Sequence, residues 1–127
     1  MNTFLQFLLI MVCYVLGDIP FLMYNKNNYI EIVKKIQGSG LTDRYYAGFF
    51  IYVALAIGLL YLVIPRINNL KDALFYGAIF GLATYSTFDM SIHLMLHAYD
   101  LKTAVIDIIW GMILSAGVAA VVWKITN

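Results

Sequence analysis

Four apolar runs alternate with polar stretches along the 127-residue chain. The first, Thr3 to Tyr24, is about 22 residues, enough to cross roughly 30 Å of hydrocarbon as a helix. It has no basic leader and no small-residue cleavage site, so it is expected to be a retained helix. Pro20 lacks a backbone donor and crowds the carbonyl four residues back, which predicts a kink or loosening around Leu16. A long polar stretch follows at 25–44. Within it Ile32, Val33 and Ile36 fall on one side at helical spacing and Lys34 and Lys35 fall partly away. That pattern suits a short helix in the headgroup plane, with a solvated loop as the alternative. Gln37-Gly38-Ser39-Gly40 has turn chemistry.

The second run, Tyr45 to Ile64, holds no charge and ends at Pro65-Arg66. Its tyrosines gather toward its ends, as interfacial anchors do. The third run covers 73–97 and the fourth 103–123, closed by Lys124. Short connections make neighbouring helices antiparallel. The pattern predicts an all-α, four-transmembrane-helix bundle, a single integral membrane domain over residues 1–127.

Composition strengthens this. The chain is 63% hydrophobic and 12% charged, with a mean hydropathy of +0.84. Soluble domains carry about 25% charge, so too little polar surface exists here to coat a globule in water. The natural partner is the lipid bilayer. A net charge of +1 and the absence of a basic stripe exclude nucleic acid. Cys13 is the one cysteine, which rules out a disulfide within the chain and suits a small apolar packing residue. Lys26, Lys34, Lys35, Arg44 and Lys102 flank one face and Arg66, Lys71 and Lys124 the other. This asymmetry places the long loop in the cytosol by the positive-inside rule.

Against that apolar background the ionisable residues stand out. Gly77, Gly81, Tyr85, Asp89, His93 and His97 recur every four residues in the third run. Thr103, Asp107, Gly111 and Ser115 do the same in the fourth. Residues four apart share a helix face, and small residues at that spacing let membrane helices approach closely. Gly77, Gly81, Gly111 and Ser115 are therefore expected to pack the third helix against the fourth. Counting from a hairpin apex near Tyr99, Asp89, His93 and Asp107 lie roughly 9–15 Å below one face, and Asp18, counted from Tyr24, about 9 Å below it. A charge in lipid costs at least about 2.5–3.5 kcal/mol, so these acids are expected to meet inside the bundle. Asp18, Tyr85, Asp89, His93, Asp107 and Trp110 form the candidate ion- or ligand-binding set. Trp110, three residues after Asp107, is placed to cap the cluster or to donate its indole N–H.

Asp89 with His93 could be a buried pair that fixes helix register. Asp18 could lie at the interface. His93 and His97, one turn apart, could ligate a metal, but no Glu-Xaa2-His pattern accompanies them. Ser86, Ser91 and Ser115 suit bonds to their own backbone better than nucleophilic catalysis. No catalytic residue and no cofactor is assigned.

The run Gly77-Ala-Ile-Phe-Gly81-Leu-Ala-Thr-Tyr85-Ser-Thr-Phe-Asp89, followed by Asp107-Ile-Ile-Trp110-Gly111, resembles the DUF2177 family of small predicted membrane proteins. Gly17-Asp18 and Pro65 also resemble that family's layout. One departure is that Asp89-Met-Ser91-Ile92 stands where the family often has Asp-Leu-Thr-Asn. The resemblance implies four spans and a polar centre, and no activity. The residues themselves favour movement of a small cation or proton along the Asp/His cluster, in a homo-oligomer. A membrane-embedded lipid or small-ligand binding protein, or an enzyme, is the second reading. A structural or assembly subunit is the third.

Overall fold

Asn2 opens the first helix by accepting the Leu5 N–H on its side-chain oxygen at 2.8 Å. This satisfies one of the donors a helix start leaves free. In a computed structural model, which describes residues 2–42 and 44–127, the helix then runs without interruption from Thr3 to Gln37. This is α1. Pro20 lies inside it. The helix departs from the sequence pattern in that residues 25–37 are its continuation, neither a loop nor a separate headgroup helix. Between Pro20 and Gly38 no glycine or proline interrupts the chain. The apolar face at Tyr29 and Ile32 also gains a partner, because it packs on Tyr99, Ala98 and Ala104 of the hairpin described below. Tertiary burial therefore extends the helix beyond its hydrophobic run. It stops at Gly38, whose φ of 74° suits a residue without a β-carbon and whose N–H returns to the Lys34 carbonyl.

The second helix, α2, spans Tyr45–Gly58. Its ladder then widens into a π turn at Leu59–Val63 and tightens into a 3-10 turn at Ile64–Arg66. Pro65 is the cause. It brings no N–H to the ladder and crowds the preceding turn, so the last turns re-pair around it. Helix α3 spans Leu70–Met95 and is capped by Asn69, which accepts the Asp72 N–H at 2.9 Å. Helix α4 spans Leu101–Thr126. Both begin two or three residues before the apolar runs that mark them.

The architecture is an all-α membrane bundle. Three helical stretches, Thr3–Gln37, Tyr45–Arg66 and Leu101–Thr126, are long and apolar enough to cross a bilayer. Helix α3 has the length but spends part of its surface on Tyr85, Ser86, Thr87 and Asp89. Its hydroxyls are satisfied locally: Thr84 donates to the Phe80 carbonyl at 2.9 Å and Thr87 to that of Ala83 at 2.6 Å. Phe4, Val12, Leu16, Phe50, Phe75 and Ile113 are exposed, as a lipid-facing surface requires.

The α3–α4 hairpin has the most extensive interface, and α1 and α2 lean on it. Gly77 and Gly81 make this possible. A β-carbon at Gly77 would stand 2.7 Å from the Ala116 Cα, and one at Gly81 2.7 Å from the Gly111 carbonyl carbon. Real carbons do not approach so closely, so the two backbones touch because these side chains are absent.

Candidate functional site

Asp89 is fully buried, 0% exposed, on the inner face of α3. The Tyr99 hydroxyl donates to its Oδ1. Its Oδ2 has no hydrogen-bond partner, alone among the buried side-chain polar atoms of the described residues. Asp107 of α4 lies near enough to Asp89 for the two carboxyls to act on one another electrostatically. The second oxygen environment of Asp107 is supplied by α1, where the Tyr29 hydroxyl donates at 3.5 Å. Two acids on adjacent helices thus face one another, each with a tyrosine behind it.

Asp18 belongs to a separate cluster. Its Oδ2 accepts from the Tyr52 hydroxyl of α2 at 2.7 Å, and its Oδ1 from the Trp110 indole N–H of α4 at 3.0 Å. Phe21, three residues further along α1, stacks on Trp110 with ring centroids 5.1 Å apart and planes within 5°. Three helices are pinned together through this one carboxylate. Trp110 therefore uses its donor on Asp18, on the helix across from its own, and not on Asp107. Helix α1 runs on thirteen residues past Tyr24, so Tyr24 does not mark the end from which the depth of Asp18 is counted.

Tyr85 lies flat against Gly111, where any β-carbon would enter its ring. Its phenol is within electrostatic reach of Asp18, Asp107, Tyr14 and Tyr52. Deeper still, Tyr14 of α1 and Ser115 of α4, both buried, share a hydrogen bond of 2.6 Å. Ser115 thus bonds across helices and does not turn back on its own backbone.

His93 is a correction. Its Nδ1–H donates to the Tyr99 backbone carbonyl at 2.7 Å, and the ring is not paired with either carboxyl. Helix α3 ends at Met95 and the chain turns, so the carbonyl of Tyr99 comes back over His93 and takes its proton donor. The histidine fixes the turn that carries Tyr99, and Tyr99 in turn bonds Asp89. His93 is a positioning residue. Replacing it by alanine is expected to lower stability by about 1 kcal/mol, the net worth of one hydrogen bond, as read by thermal unfolding. His97 lies beyond the helix and is exposed. Among the described residues no three His, Cys, Asp or Glu side chains gather closely enough to hold a metal ion.

Sequence spacing missed four participants. Tyr29, Tyr52 and Tyr99 supply the hydroxyls that meet the three acids. Asn28 donates to the Thr103 Oγ1 at 3.0 Å, and Thr103 donates to the Asp100 Oδ1 at 2.6 Å. A signal existed in ten tyrosines within 127 residues. An interfacial belt explains only those near helix ends.

The family model described as a predicted membrane protein, DUF2177, matches residues 3–124. No curated protein and no solved structure matches the chain.

Proposed function

We propose, for a chain that belongs to the DUF2177 family of predicted membrane proteins, that it is a multi-pass protein that moves protons through the Asp89–Asp107 pair. The observation that carries this is the buried Asp89 Oδ2, which has no hydrogen-bond partner, with the carboxyl of Asp107 within electrostatic reach of Asp89. Two ionised carboxyls in contact repel, whereas a pair that shares one proton bonds. Such a pair is a proton store with a low barrier to exchange between its members. A metal cation needs more: calcium takes six to eight oxygens and magnesium a near-ideal octahedron. Two carboxyls with tyrosine neighbours suit a proton better.

Hydroxyls extend from the pair in both directions. Tyr29 and Tyr99 lead toward the face formed by the α3–α4 turn. Tyr85 and the Tyr14–Ser115 bond lead deeper, Ser115 lying about 12 Å along α4 from Asp107. Each phenol can donate and accept, which is what a proton relay requires. The interior of a bundle this small is narrow, and a homo-oligomer is the natural assembly for it.

The test is acidification of proteoliposomes that contain a pH-sensitive dye. Wild-type protein is expected to dissipate an imposed pH gradient. Asp107→Asn, which keeps the shape of the side chain and cannot release a proton, is expected to reduce the rate to that of empty liposomes. Equal rates for the two proteins would remove the pair from any role in flux.

A further inference from the structure

The last turns of α1 and the α3–α4 turn enclose a cleft of about 750 Å³, on the same side of the bundle as Tyr99. Its α1 wall is a helical stripe, Glu31, Lys35 and Ile36, at the spacing that keeps residues on one face. The facing wall is Leu96, His97 and Asp100. The five polar members, these four and Asn28, are exposed to whatever fills the cleft. The composition is unusual for a solvated surface groove. One side chain offers an ammonium, one an imidazole and two offer carboxylates, all above an apolar floor.

Asp100 is built into place. The Thr103 hydroxyl donates to its carboxylate, and Asn28 in turn holds Thr103. The Thr103 bond also keeps the Asp100 carboxyl below the usual carboxylate range, so it is an anion at neutral pH. The relay ties α1 to the start of α4, where Asp100 is the N-cap residue, and it holds that exposed carboxylate in one orientation at the cleft.

We infer that this cleft binds the headgroup of a membrane phospholipid that carries both a phosphodiester and a primary ammonium, a phosphoethanolamine headgroup. The phosphate lies against Lys35 and the His97 ring N–H. The ammonium donates to Glu31 and Asp100. Ile36 and Leu96 meet the glycerol and the first acyl carbons. Three arguments select this occupant. Charges of both signs line one cleft, which matches a zwitterion and not a simple anion. Two carboxylates reward a group with N–H donors, and a primary ammonium has three whereas a quaternary choline has none. The apolar floor at the bilayer face favours a lipid over free phosphoethanolamine. The inference is independent of proton movement, since no residue of the acid pair is used.

The test is lipid retention by native mass spectrometry. The full chain is equilibrated in vesicles of equal parts phosphatidylethanolamine, phosphatidylcholine and phosphatidylglycerol, then stripped by graded detergent. One phosphatidylethanolamine is expected to remain at about tenfold preference over phosphatidylcholine, the ratio that one charge-assisted hydrogen bond supports. Asp100→Asn and Glu31→Gln are each expected to erode that preference. Lys35→Gln is expected to weaken retention of both lipids alike. These side chains are exposed, and circular dichroism checks that the helices persist. Equal retention of the three lipids by wild-type protein overturns the proposal. So does a preference unchanged in both acid variants. Displacement by equimolar glycerophosphoethanolamine would overturn the lipid as the source.

Discussion

Gly81→Ala is expected to destabilise the protein by about 3 kcal/mol, at the upper end of what overpacking costs. The added methyl would stand 2.7 Å from the Gly111 carbonyl carbon and 2.8 Å from the Met112 Cα. Both are backbone atoms of α4, so no rotamer change relieves the clash and the helices must part. Parting them also withdraws Asp107 from Asp89, because the two acids meet across the same interface. Gly117→Ala is the matched control. That position is exposed, and nothing lies within 4 Å of its would-be β-carbon, so its change is expected to stay within about 0.5 kcal/mol. Unfolding in detergent, followed by tryptophan fluorescence, measures both. Equal losses for the two variants would show that α3 and α4 are not in backbone contact.

The second large effect is expected at Asp89, where two substitutions should separate. Asp89→Ala leaves the Tyr99 hydroxyl without its acceptor and opens a void in a fully buried place. Together these are expected to cost about 3 kcal/mol. Asp89→Asn keeps an acceptor oxygen for Tyr99 and offers Asp107 an N–H in place of a shared proton. Its stability is expected to match wild type within about 1 kcal/mol, as a hydrogen bond is exchanged for one of similar worth. Proton flux is nevertheless expected to vanish in the asparagine variant. A purely architectural acid would give the opposite pattern, with flux following stability through both changes.

Much of this was legible in the residues. Long uncharged runs with little polar surface fix a membrane bundle, because nothing else accommodates them. The four-residue rows in α3 and α4 placed Gly77, Gly81 and Gly111 at the interface where the two backbones meet. The same rows brought Asp89 opposite Asp107, since helical periodicity and a short hairpin leave little freedom. What spacing could not supply was the third helix. The level of α1 against the hairpin depends on where α1 ends. Its polar C-terminal third looks like a loop until Tyr29 and Ile32 are given something to pack on. For the same reason spacing left the acceptor of the Trp110 indole N–H open, and its partner is Asp18, 92 residues away. His93 lies at the right spacing for Asp89, but the chain turns two residues later and its own carbonyls compete for the ring. Tyrosines carry no periodic signature that separates an interfacial anchor from a hydroxyl donor to a buried acid.

The bond between Asp18 and Trp110 also bears on how the protein is made. Domains generally order from the N-terminus as synthesis proceeds, so the Asp18 carboxylate enters the bilayer long before its indole donor leaves the ribosome. Tyr52 precedes Trp110 in the chain, so of the two partners of that acid it is the first to be made. The remaining oxygen stays open until α4 inserts, and closing it draws the last helix to the first.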